Sequence, residues 1–100
     1  SNTLTTTSTS TDRVASISAT VNSSATFQVQ VTRGTEYHMT TINLIHDGTQ
    51  AFISEYGTIR TGQSLATFSA DINSGNLRLR VTPTSTTSTV FKLSKTTIKV

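Results

Sequence analysis

Apolar and polar residues alternate along most of this chain with a period of two. In Ala25–Val31, Ala25, Phe27, Val29 and Val31 share one parity, while Thr26, Gln28 and Gln30 take the other. Successive side chains of a strand point to opposite faces, so this pattern predicts a strand with one buried face. Similar runs predict strands over about 36–46, 51–56, 66–72 and 77–81. A last strand starts near Val90, and an irregular first one carries Val14, Ile17 and Val21. Two runs lose phase. In the second, Tyr37 and Met39 share one parity and Ile42 and Leu44 the other, which predicts a β-bulge at Thr40-Thr41. In the last, Phe91 and Leu93 are out of phase with Ile98 and Val100, which predicts a kink near Thr96. Turn signals separate the runs: Arg33-Gly34-Thr35, Asp47-Gly48 and Asn73-Ser74-Gly75-Asn76. Thr58–Ser64 reads as a loop or an edge crossing, and the PTSTTST run from Pro83 as a polar loop. The pattern predicts an all-β protein: a single antiparallel, jelly-roll-like β-sandwich of about seven or eight strands with no substantial helix. The expected core is Phe27, Val29, Val31, Ile42, Leu44, Phe52, Phe68, Ile72, Leu77, Leu79, Val81 and Phe91.

Composition sharpens this picture at the N-terminus. Serine and threonine make up more than a third of the 100 residues, and residues 1–11 (SNTLTTTSTST) hold little else besides Leu4. Such a segment has too little apolar surface to offset the entropy of ordering. Residues 1–11 therefore read as a flexible arm, with Leu4 as a point where a partner would order it. Residues 12–100 read as the sandwich domain. The absence of cysteine rules out disulfides and thiolate metal sites. No run approaches the ~20 apolar residues of a membrane-spanning helix, and no membrane partner is expected.

Charge changes less than it first suggests. Eight basic and five acidic residues give a net charge of +3, but the cations are scattered and do not interleave with aromatics. Solvent-facing charges that discourage strand edges from aggregating account for this pattern, and no nucleic-acid partner is expected. Arg78 and Arg80 share one face of a strand. They are candidates for gripping an acidic partner, against a plainer role as edge protection.

The most suggestive chemistry is His46-Asp47. A charge-relay pair needs the acid to orient the base toward a nucleophile, yet neighbours on a strand point apart. The other histidine, His38, lies about 26 Å back along an extended chain, and no third metal ligand presents itself. Asp12, Asp47 and Asp71 lack the spacing of a calcium loop. Asp-Gly is instead a strong hairpin signal, so Asp47 and Gly48 are expected to form a type I′ turn. Residues Glu55 and Tyr56 would then pair near Leu44 and His46. Ser74 and Gly75 are expected to form a second turn. Tyr37 and Tyr56 are candidates for stacking on a sugar ring, although strand aromatics more often lie in a core. No catalytic residue, metal site or cofactor is predicted, and no enzymatic activity is expected.

An ordered set of short motifs carries a resemblance. It comprises F-x-V-x-V-T at 27–32, Tyr37, L-I-H-D-G-T at 44–49, Ala51 and E-Y-G at 55–57. It continues with S-L-A-T-F-S-A-D-I at 64–72, S-G-N-L-R-L-R-V-T-P at 74–83 and S-T at 88–89. In order and spacing, from about residue 25 to the end, these pieces resemble a β-sandwich module of tailed-bacteriophage virion proteins, notably of T4-like cyanophages. The resemblance implies a structural role in the virion, with other virion proteins and further copies of the chain as partners in a homo-oligomer. It brings no catalytic residues. Within that setting the expected functions are a head decoration or cement subunit, or a component of neck, baseplate or fibre. Recognition of a host surface glycan is the alternative. The module usually sits inside a longer protein, so an excised domain and a small stand-alone protein both remain open.

Overall fold

A computed structural model describes residues 2–100, which form eight strands and no helix. The strands are β1 (Asn2–Thr6), β2 (Asp12–Ser18), β3 (Asn22–Arg33), β4 (Glu36–His46), β5 (Ala51–Arg60), β6 (Ala66–Asn73), β7 (Asn76–Pro83) and β8 (Thr89–Lys99). They divide into a five-stranded sheet of order β1-β8-β3-β4-β5 and a three-stranded sheet of order β2-β7-β6. All pairings are antiparallel. The result is the β-sandwich that the alternation predicts.

The core lies between the sheets. The five-stranded sheet contributes Ala25, Phe27, Val29, Val31, Ile42, Leu44, Phe91 and Leu93. The smaller sheet contributes Ala15, Ile17, Leu77, Leu79 and Val81, with Phe68, Ala70 and Ile72 half-buried beside them. In β6 the even-numbered residues face inward as the pattern requires. Phe68 meets Phe91 edge-on, with ring centroids 6.5 Å apart and planes at 90°, a favoured aromatic geometry.

Several expectations need correction. Asn2–Thr6 is an edge strand rather than a free arm. It pairs with β8 from Asn2↔Leu93 to Thr6↔Thr89, and Leu4 packs on the chain's own core opposite Phe91. Backbone pairing with β8 holds a segment whose side chains alone would not. Ser1 lies outside the described residues. β4 keeps one phase throughout: His38, Thr40, Ile42 and Leu44 face inward and Tyr37, Met39 and Ile45 face out. The unbroken register against β3, from Ser24↔Ile45 to Arg33↔Glu36, fixes that parity.

The bulge near Thr40 exists, but on the neighbouring strand. Pairing passes from Met39↔Ile59 to Thr41↔Tyr56, so Gly57 and Thr58 together oppose Thr40. Gly57 has φ 67, the left-handed conformation of a glycine bulge. β8 carries no kink at Thr96, since its register with β3 runs evenly from Thr32↔Val90 to Ser24↔Ile98. Ile98 and Val100 simply face outward. Phe52 is not a core residue; it is 49% exposed, because its pairing with the outward-facing Ile45 turns it to the outer face of the five-stranded sheet. The irregular β2 carries a register shift between Arg13 and Ala15, which lets both Val14 and Ala15 turn inward.

Candidate functional site

The residues singled out by their chemistry are placed by ordinary backbone requirements. His46 ends β4 opposite Ala51. The Gly48 N–H donates to His46 Nδ1 at 3.1 Å, so that nitrogen is an acceptor and Nε2 carries the proton. His46 Nε2 lies 2.7 Å from the Asn22 carbonyl oxygen, which accepts it. Asp47 turns away from the imidazole. Its Oδ1 accepts the Thr49 N–H at 3.0 Å, the Thr49 hydroxyl at 3.1 Å and the Gln50 N–H at 2.8 Å. These donors, led by the Gln50 amide, hold its carboxyl below the usual range. Asp47 and His46 Nδ1 are thus occupied with the β4–β5 connection, and His46 Nε2 with the start of β3.

That connection is not the expected type I′ turn. Residues 47–50 form a four-residue loop, closed by the Asp47 N–H donating to the Gln50 carbonyl at 3.1 Å. Only Gly48 has positive φ there, at 98°, and Asp47 caps the loop through its side chain. The strand register follows: Ala51, not Glu55, lies opposite His46, and Tyr56 lies opposite Thr41. Two positive φ values in succession occur instead at Ser74 (52°) and Gly75 (77°), between the paired Asn73 and Asn76. This is the signature of a two-residue I′ hairpin.

Arg78 and Arg80 share the outer face of β7, and both are drawn to Asp71 on β6. Arg78 Nε donates to Asp71 Oδ1 at 2.7 Å and its Nη2 to Oδ2, while Arg80 Nη1 reaches Oδ2 at 3.5 Å. The Arg78 hydrogen bonds hold the Asp71 carboxyl below its ordinary value and raise the guanidinium's. A carboxylate of the same chain therefore already occupies this pair. Among the described residues no group of three or more His, Asp or Glu residues is arranged to hold a metal ion.

Two polar residues that the alternation does not place in the core are buried. Arg33, 7% exposed, ends β3 and donates from Nε to Thr89 Oγ1 at 3.1 Å. Its Nη1 donates to Thr84 Oγ1 at 3.2 Å and its Nη2 to the Leu65 carbonyl at 2.9 Å. It ties β3 to the connections on either side of the β6–β7 hairpin. His38, 2% exposed, accepts the Leu65 N–H on Nδ1 at 3.3 Å and meets the Phe68 ring edge-on. Its Nε2 has no partner among the described residues, and burial lowers its pKa. Leu65 is the fully buried anchor of the β5–β6 connection on which both converge. A lone leucine in TGQSLAT gives no periodic signal, which is why the pattern did not reveal it.

The largest unclaimed feature is the outer face of the five-stranded sheet. Tyr37, Met39, Ile45, Phe52, Tyr56, Ile59 and Ile98 are all exposed there. Direct pairing lines up Ile98, Ser24, Ile45 and Phe52 in one row across β8, β3, β4 and β5. A second cluster forms where Met39 pairs with Ile59 beside Tyr37, whose carbonyl accepts the Thr61 N–H at 3.0 Å. The two tyrosines are therefore on the surface rather than in the core.

No family model matches this sequence, and no curated protein does. The fold itself has a counterpart among solved structures. A chain in the crystal structure of the Acinetobacter phage vB_ApiP_P1 tailspike protein superimposes with a TM-score of 0.62 at 21% identity. The match covers 98% of this chain and 22% of that one. The eight-stranded sandwich is thus similar in fold to a part, about one fifth, of a phage tailspike chain.

Proposed function

We propose that this chain is a non-enzymatic structural module of a bacteriophage virion, working through protein–protein contacts. The observation that carries the reading is the fold it shares, over nearly its whole length, with part of a phage tailspike chain. The motif order that resembles T4-like cyanophage virion modules points the same way. A broad sheet face with exposed apolar residues supplies a surface for such contacts. Within the virion, the tailspike likeness favours neck, baseplate or fibre over head decoration or cement. Assembly would take place in the host cytoplasm. Quantitative mass spectrometry of purified particles tests this. A few copies per particle support a tail-side component, and hundreds support a head or tail-tube decoration. Absence from particles overturns the virion assignment.

A second reading, recognition of a host surface glycan, is favoured by the exposed rings of Tyr37 and Tyr56 on one sheet face. Blank glycan arrays together with unaltered host-cell binding by a Tyr37→Ala, Tyr56→Ala chain would remove it.

A further inference from the structure

We propose that the outer face of the five-stranded sheet is a self-association surface, on which a second copy of this chain packs sheet against sheet. The proposal rests on the assembly reading only in taking the chain to work as several copies; its evidence is the face itself.

The first observation is charge. The chain carries thirteen charged residues, yet the outward positions of β3 (24, 26, 28, 30 and 32) and of β4 (37, 39, 41, 43 and 45) hold none. On β8 the outward residues from Val90 to Ile98 include one, Lys92. Two copies of a chain with net charge +3 repel through most surfaces, but these two faces meet with almost no charge between them. A partner selected by electrostatic complementarity would need an opposing charge that this face does not present.

The second observation is how the apolar side chains are placed. The row Ile98–Ile45–Phe52 lies at one end of the face. The cluster Tyr37–Met39–Ile59 lies about six residues away along β4, roughly 20 Å at ~3.4 Å per residue. A polar band separates them, with Thr26 donating to Asn43 Oδ1 at 2.8 Å inside it. An isologous contact turns one copy over on the other about a two-fold axis in the plane of contact. With that axis across the strands, Met39 and Ile59 of one copy face Ile45 and Phe52 of the other, the polar rows between them face each other, and Lys92, in the row of Met39, faces the copy's Ile98.

The third observation is size. Five strands at ~4.8 Å spacing and about eleven residues at ~3.4 Å give a face on the order of 900 Å², in keeping with molecular extents of 40 × 24 × 20 Å. A stable interface takes about 800 Å² from each partner. This sheet face can therefore supply one.

The test is sedimentation equilibrium of the 100-residue chain from about 1 to 500 µM, repeated for Ile45→Lys, Ile98→Lys and, as a control on the opposite sheet, Arg78→Ala. All three positions are on the surface, and circular dichroism checks that each variant folds. The expected result is a concentration-dependent dimer that either lysine weakens at least tenfold and Arg78→Ala leaves unchanged. A monomer at every concentration overturns the proposal and leaves the face to a different virion protein or a glycan. So does a dimer that Arg78→Ala disrupts and the lysines do not. Because this reads only the chain in solution, absence from phage particles would overturn the virion assignment without touching it.

Discussion

Gly57 offers a clean test of how the edge strand is built. The residue sits at φ 67 in the bulge opposite Thr40, and a Cβ added to it would meet nothing within 4 Å. Replacing it with alanine creates no clash, so the whole cost is that of holding an L-residue in the left-handed region. That cost is roughly 1–2 kcal/mol. For a domain of this size, each kcal/mol lowers Tm by about 4–8 °C. Asparagine tolerates the same backbone far better, so Gly57→Asn should lose less than half as much. Gly62 is the internal control: its φ is not in the left-handed region, and a Cβ there would meet only the movable Glu36 carboxylate, at 3.2 Å. Gly62→Ala should be neutral, or stabilising by up to ~1 kcal/mol through a less flexible unfolded chain. Thermal and urea unfolding followed by far-UV circular dichroism give all three numbers. The reasoning is refuted if Gly57→Ala melts within a degree of the parent, or if asparagine is as damaging as alanine.

Other outcomes follow from the same structure. Burial lowers the His38 pKa, so the unfolded chain binds this proton more readily than the folded one. Stability should be full above the ordinary histidine value near 6.5 and fall as pH drops below it. Melting curves across pH 4–8 should show that fall flattened in His38→Gln. Phe27→Ala removes a fully buried ring and should cost ~3–5 kcal/mol, whereas Phe52→Ala should stay below ~1 kcal/mol; urea midpoints separate the two. A chain beginning at Thr7 lacks β1 and leaves the β8 edge open, so its Tm should drop and amides along β8 should exchange faster, which a truly flexible arm would not cause. Asp71→Asn should bring only a small loss, one that disappears at high salt as expected of an exposed ion pair.

Alternation made the sandwich legible, because a strand with one buried face must alternate. In β3 and β7 the inward residues are those the pattern names. It misled in β4, where His38 and Thr40 face inward and Tyr37 and Met39 outward. The parity of β4 is set by its ten consecutive pairings with β3, not by which side chains are most apolar. Phe52 failed for another reason. Alternation tells which residues share a face but not which face turns inward, and pairing with Ile45 sets Phe52 on the outer one. The pairing of β1 with β8 is a tertiary fact that a threonine-rich segment does not announce. Arg33, His38 and Leu65 meet only when residues some thirty positions apart come together, which no local signal carries. The apolar outer face was in view as odd-numbered residues of β4, but the loss of phase at Thr40-Thr41 hid that they share one outward face.

The position of β8 has a kinetic consequence. This last strand lies between β1 and β3, with Thr3 paired to Lys92 and Phe27 to Lys95. Both strand pairings it makes close loops spanning most of the chain, and such topologies fold slowly, on millisecond to second scales. During synthesis β3, β4 and β5 emerge early and can pair as local hairpins, but β3 must wait beside an open edge for the C-terminal strand. Until Thr89–Lys99 leaves the ribosome, Val29 and Val31 have no neighbour on that side, and the nascent chain is most open to joining the wrong copy. The order of strands therefore sets a window in which assembly and misassembly compete.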